Sequence, residues 1–207
     1  MRVQDLVQEI VPLDGRDIRL LRPRDSEALL DEHAFEEEEF LPYWAEMWPS
    51  SIALARALAG RSLGGRRVVE LGCGLGLPSI VAALQGARVL ATDWSAEAIA
   101  MAAHNAEING ASVRTARVAW DEPDVLLEGA PWDLVLASDV LYERRMADTL
   151  LELLPRLVGA RGTLLLSDPG RPPAEGFLEA AGEAWTVTSR SDPAGPRVAV
   201  HRLVRRR

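Results

Sequence analysis

Two periods of apolar residues alternate along this chain. Residues 6 to 21 switch polar and apolar in steps of two around Asp14-Gly15, which predicts a hairpin with strands near 6–12 and 16–22. Pro23-Arg24-Asp25 breaks that pattern, and residues 25 to 39 read as an acidic helix. A helix over Ile52 to Ala59 follows, capped by Ser50 or Ser51 and ended by Gly60. Short apolar runs at Val68–Leu71, Arg88–Asp93, Val113–Val118, Trp132–Asp139 and Thr163–Ser167 then read as buried strands. Helical stretches separate them: one opening at Pro78, one over Ala96 to Asn109 between Ser95 and Gly110, and one over 143–157 before Gly159 and Gly162. A short helix fits 174–181, and residues 184–190 and 197–204 form a strand pair joined by the turn-rich Ser191 to Pro196. Strand–helix alternation predicts an α/β fold: a mostly parallel sheet with helices on both faces, closed by a terminal antiparallel pair.

The candidate chemistry centres on Glu70-Leu71-Gly72-Cys73-Gly74-Leu75-Gly76, between the first of those strands and its helix. Gly72, Gly74 and Gly76 carry no Cβ, so the backbone can turn sharply and a ligand can come close. The spacing is G-x-G-x-G, not the G-x-G-x-x-G of dinucleotide enzymes. Glu70, just ahead of the glycines, is placed to help hold a cationic ligand. Asp93 ends the next strand about 20 residues on, where an acid accepts hydrogen bonds from a ribose. Over residues 40 to 207 this arrangement resembles the class I S-adenosylmethionine (SAM) methyltransferases, which implies SAM as cofactor and a Rossmann-like sheet.

Composition narrows the field. A chain of 207 residues, 48% of them hydrophobic, suffices for one domain with a decorated end. No run of 18 apolar residues occurs and the N-terminus is mixed and charged, so the expectation is a cytoplasmic protein without membrane association. Cys73 is the single cysteine, and His33, His104 and His201 are scattered, so no metal is expected. A net charge of −8 disfavours nucleic acid as partner. The acids at Asp31-Glu32 and Glu36 to Glu39 form either a solvated face or an attractor for a basic protein surface. The chain contains no lysine.

Aromatic residues sit beside the candidate strand ends. Trp44 and Trp48, in Pro42-Tyr43-Trp44-Ala45-Glu46-Met47-Trp48-Pro49, either pack on the main domain or wall a site for a sulfonium or ammonium through cation–π contacts. Trp94 follows Asp93 and is placed to flank an adenine. Trp120-Asp121 can stack on a purine and accept its amine, or can be a core tryptophan and a helix cap. Ser138-Asp139 also ends a strand, the place where open α/β sheets bind ligands.

Trp132-Asp133-Leu134-Val135 followed by Ser138-Asp139-Val140-Leu141-Tyr142 resembles family 16 of the class I enzymes, rich in protein-lysine methyltransferases, whose D-x-x-Y motif matches Asp139 and Tyr142. Pro42-Tyr43-Trp44-Ala45, Trp48-Pro49 and Asp168-Pro169-Gly170-Arg171 are similar to the branch acting on the electron transfer flavoprotein β subunit, whose bacterial relatives also act on a ribosomal stalk protein. The resemblance implies a lysine-bearing protein substrate, with Asp139 and Tyr142 catalytic and Trp48 beside them on the substrate side. It implies cofactor contacts from Trp44, Glu70, Gly72, Gly74, Gly76, Asp93, Trp94, Trp120 and Ser138. Asp139 is also a candidate helix cap. The expected organisation is a monomer, with residues 1–40 as lid or substrate side and 41–207 as the SAM-dependent domain. The rival expectations are a small-molecule (nicotinamide-like amine) N-methyltransferase, a non-catalytic SAM-binding module and a nicotinamide-dinucleotide oxidoreductase. The residue after the fourth strand is not the Asn/Asp-Pro-Pro-Tyr/Phe of amino-type base methyltransferases.

Overall fold

The computed structural model describes residues 5–26 and 42–206. The predicted acidic helix falls almost wholly outside these residues. β1 (Leu6–Leu13) and β2 (Arg16–Pro23) form the expected hairpin, with Val11 opposite Ile18 and Leu13 opposite Arg16. Then come α1 (Pro49–Leu58), β3 (Arg67–Leu71), α2 (Leu77–Leu84), β4 (Arg88–Asp93), α3 (Ala96–Ile108) and β5 (Val113–Arg117). They are followed by α4 (Asp124–Glu128), β6 (Trp132–Ser138), α5 (Arg144–Leu157), β7 (Val158–Asp168), α6 (Pro172–Ala181), β8 (Trp185–Asp192) and β9 (Gly195–Arg205).

The large sheet has seven strands in the order β5-β4-β3-β6-β7-β9-β8. β3 pairs in parallel with both β4 and β6, so the chain reverses its direction of travel across the sheet at the adjacent strands β3 and β6. The crevice at their carboxyl ends is the topological switch point of an open sheet. β9 lies antiparallel between β7 and β8, which closes the edge as expected.

Side chains of the central strands alternate between the two faces, and both faces are covered, so both are buried. Leu134 and Leu136 of β6 join a core with α1, α2 and the hairpin, whereas Val135 and Ala137 join a core with α5 and α6. Val68 and Val69 of β3 divide in the same way. Each fully buried leucine contributes about 1.5–3 kcal/mol.

The boundaries of α1 and β7 differ from expectation, and one helix was not expected. α1 begins at Pro49, and neither Ser50 nor Ser51 caps it by a side chain. β7 begins at Val158 rather than Thr163, since Val158 already pairs with Trp132 across an irregular stretch. α4 was not predicted; at 5 residues with one buried apolar side chain, Leu126, it is too short to show a period.

The hairpin packs into a core cluster. Val11, Ile18 and Leu20 pack with Leu54, Leu58 and Ile80. Buried Asn105 of α3 fastens it: Oδ1 accepts from the Leu21 amide at 2.7 Å, and Nδ2 donates to the carbonyls of Leu21 and Leu75, each at 3.0 Å. One amide thus ties hairpin, helix and glycine loop together.

Candidate active site

A cleft of about 430 Å³ opens at the carboxyl ends of β3, β4 and β6. Trp44, Trp48, Gly72, Gly74, Gly76, Asp93, Trp94, Trp120, Ser138, Asp139 and Tyr142 all line it. Glu70 does not.

The glycine loop is shaped by the chain's own crossings. Gly72 has φ +64°, and a Cβ there would lie 2.8 Å from Val140 Cγ1. Gly76 has φ +84°, and its Cβ would lie 3.0 Å from the Ala102 Cβ of α3. At Gly74 the neighbour is the Trp44 carbonyl oxygen, 3.2 Å away. These glycines line the cleft and are also required by the chain's own packing. The missing Cβ atoms first admit the loop after β6, α3 and the strap before α1. The Trp44 backbone packs on the loop, and the residue lines the cleft.

Glu70 lies behind the cleft wall. Its side chain is fully buried, and Oε2 accepts from the Ser79 amide at 2.9 Å and the Ser79 hydroxyl at 2.5 Å. The N-cap of α2, Gly76, has no side chain to offer, so the Glu70 carboxyl from the strand behind satisfies the first turn. Burial pushes the Glu70 carboxyl up to about 8, against the two hydrogen bonds that favour ionisation. A carboxyl raised by folding keeps its proton longer in the native state than in the unfolded chain. Its contribution to stability therefore falls as pH rises from about 4.5 to about 8 and is level above that. Glu70→Gln should match the wild type near pH 5 and exceed it by about 1–3 kcal/mol near pH 8.5, in urea melts at the two pH values. A constant difference between the two would remove this account of Glu70.

Asp93 bridges two loops. Oδ2 accepts from the Gly74 amide at 2.9 Å and Oδ1 from the Ser95 amide at 3.0 Å. Ser95 caps α3 as predicted, accepting from the Ala98 amide at 3.2 Å. Burial raises the Asp93 carboxyl above its ordinary value. Burial, with Asp93 and Glu70 nearby, also pushes the Cys73 thiol well up, which favours its protonated form. Trp94 exposes 37% of its surface beside Asp93, while Trp120 packs partly against the α5-side core.

Asp139 stands at φ +57°, the one described non-glycine residue in the left-handed region. Its amide donates to the Ser167 carbonyl at 2.9 Å. Its carboxylate is buried and held from two sides: Oδ1 accepts from Arg171 Nε at 2.7 Å and Oδ2 from the Ser50 hydroxyl at 3.2 Å. Asp139 does not cap α5, whose N-cap residue is Glu143. Ser50, expected as a cap, serves Asp139 instead.

Arg171 is aimed by Asp168. One Asp168 oxygen accepts from the amides of Gly170 and Arg171, both at 2.7 Å, and burial raises this carboxyl. The Arg171 guanidinium also lies 5.9 Å from the Trp48 ring centre. Around it stands an aromatic cluster: Tyr43 is 5.6 Å from Tyr142 and 6.2 Å from Trp48, ring centre to ring centre. Trp48 Nε1 donates to the Tyr43 carbonyl at 2.8 Å. Tyr43 and Tyr142 remain exposed by 45% and 37%. Tyr43, Ser50 and Arg171 were not singled out from sequence as site residues. The one signal for Arg171 was its place in Asp168-Pro169-Gly170-Arg171. Arg145, Met146 and Thr149 of α5 line the cleft with no sequence signal at all.

A nucleoside bearing a cationic sulfonium side chain suits this donor set. The cavity size is that of a small-molecule site, aromatic faces line it, and Asp93 and Asp121 supply acceptors. No group of three His, Cys, Asp or Glu among the described residues is placed to hold a metal. No described helix is long and apolar enough to cross a membrane.

The fold is that of the Rossmann-like methyltransferases. It superposes on the Thermus thermophilus 16S rRNA N2 G1207 methyltransferase with a TM-score of 0.70 and 18% identity, over 97% of this chain and 51% of that one. Residues 33–181 match the lysine methyltransferase family, and the chain belongs to it. The Danio rerio electron transfer flavoprotein β subunit lysine methyltransferase is 37% identical over 137 residues, 63% of this chain and 51% of the relative. A Synechococcus ribosomal protein L11 methyltransferase is 37% identical over 153 residues, 70% of this chain and 48% of the relative. The chain thus spans about half the length of the curated relatives it matches.

Proposed function

We propose that the chain binds SAM in the cleft and methylates the ε-amine of a lysine on another protein. The observation that carries this reading is Asp139: a buried carboxylate at the switch point, already engaged with a guanidinium and standing in a cleft with aromatic rings. That is a receptor for an organic cation at the reacting end of the site.

Asp93 would hold the ribose hydroxyls and Trp94 and Trp120 would flank the adenine, with Trp44, Ser138 and the glycine loop completing the walls. When bound, SAM supplies an electrophilic methyl group on a sulfonium sulfur. An incoming lysine has a reference pKa of about 10.4 and must lose a proton before its lone pair can attack. Asp139 receives the ammonium, with Oδ2, the more weakly bonded oxygen, as the one that turns toward it and relays its proton to solvent. Arg171 on Oδ1 keeps the carboxylate from rotating. Tyr142 and Trp48 exclude water beside the amine, which disfavours its charged form and eases deprotonation. Holding amine, methyl and sulfur in line then provides much of the acceleration. The exposed Tyr43 and Tyr142 leave a mouth open among the described residues, which favours a side chain presented by a large acceptor over an enclosed small amine.

The test uses tritiated SAM, purified chain and lysate of the organism that encodes it. The chain has no lysine, so a labelled band cannot be its own methyl-lysine. A discrete labelled protein, mapped to lysine by mass spectrometry, is the expected result. The electron transfer flavoprotein β subunit and ribosomal protein L11 are the first purified acceptors to try. Label confined to small molecules would replace this reading with a small-amine methyltransferase.

A further inference from the structure

A second groove, of about 500 Å³, shares Trp48 with the cleft. Pro49, Pro169 and Val198 give it an apolar lining. Ser50 and Arg171, the two residues holding Asp139, line it as well. The candidate catalytic carboxylate and its partners therefore stand between groove and cleft.

The groove has a charge opposite to that of the molecule. The chain carries −8, yet no acid lines the groove and two arginines do. Arg171 is committed to Asp139 through Nε. Arg197, at the start of β9, is exposed, and its guanidinium enters no ion pair or hydrogen bond among the described residues. A cationic apolar groove on an acidic protein selects a partner by charge as well as by shape. A free small amine would have no use for it. A polypeptide does: a lysine entering the cleft past Trp48 leaves its flanking residues over this surface.

We propose that the groove docks the acceptor protein by taking an extended segment next to the target lysine that carries an aliphatic residue and an Asp or Glu, the acid pairing with Arg197. The proposal rests on the lysine-methylation reading and adds to it a rule for choosing the acceptor. The aliphatic side chain lies between Pro49, Pro169 and Val198. The acid stands within about six residues of the lysine, since six extended residues span roughly 20 Å.

The probe is the protein labelled by wild-type enzyme and tritiated SAM in the lysate, then purified as acceptor. Its methylated lysine is expected to have an acid within that reach. Arg197→Glu should lower kcat/KM on this acceptor at least tenfold, while SAM affinity, read by tryptophan quenching, changes less than twofold. Arg197→Lys should stay within threefold of wild type. Changing the acceptor's acid to Arg should restore activity to Arg197→Glu, a rescue that a misfolded variant cannot show. Equal kcat/KM for wild type and Arg197→Glu, or a mapped lysine with no acid in reach, overturns the docking groove and leaves lysine methylation standing. No labelled protein despite SAM binding overturns both.

Discussion

Asp139→Asn should lower kcat on the protein acceptor by about 100- to 10,000-fold, the range for loss of a group that handles a proton in the reaction, while SAM affinity stays within about threefold. Asparagine is the informative replacement. Position 139 sits at φ +57°, which asparagine tolerates and alanine resists. The amide can still accept from Ser50 and stand beside Arg171, so the loop after β6 keeps its path. What disappears is the charge that receives the ammonium. Asp139→Ala removes that charge too, and adds backbone strain and an unpaired guanidinium, so its loss of stability would obscure the chemistry. Kinetics at saturating SAM, with tritium transfer as readout, separate the two effects. Turnover of Asp139→Asn within fivefold of wild type would take this residue out of the reaction.

Gly72→Val should destabilise the fold by about 2–5 kcal/mol and abolish measurable SAM binding. The left-handed backbone costs a side chain about 1–2 kcal/mol, and crowding a packed site costs about 1–3 more. The crowding is specific: a Cβ at 72 falls 2.8 Å from Val140, which immediately follows Asp139. The damage therefore reaches both halves of the site through the protein, without any need for the new side chain to touch the ligand. Gly72→Ala should show the same direction at smaller size. Urea denaturation and tryptophan quenching by SAM measure the two quantities. Wild-type affinity in Gly72→Val would show that the crossing with Val140 yields freely and does not set the cleft.

Two of the three residues that sequence misplaced share a cause. Glu70 was read as facing a ligand because it precedes the glycines, but it points into the helix behind them and caps the turn at Ser79. Ser50 was read as a cap for α1, yet its hydroxyl reaches Asp139, 89 positions away in the chain. Asp139 was weighed as a cap for α5, and its carboxylate instead meets Arg171, 32 positions on. Local capping rules treat each hydroxyl or carboxylate as serving its nearest helix. A tertiary partner that also buries the group competes with that local use, and at Ser50 and Asp139 it wins, whereas Glu70 takes the local cap. The hairpin shows the same limit. Its strands and turn were legible from alternation and Asp14-Gly15, while its anchoring to buried Asn105 was not.

Taken alone, the sequence determined which residues form strands and helices, that the sheet is mostly parallel with an antiparallel end, and that glycines and acids gather at strand ends. These follow from periodicity and from which backbone conformations a residue permits, and both are local properties. The tertiary structure alone decided that β9 inserts between β7 and β8, that the missing Cβ atoms make room for the chain's own crossings, and that Asp139 is gripped by Ser50 and Arg171. Those depend on contacts between residues distant in the chain, where close packing and the burial of charge, rather than local propensity, choose the partner.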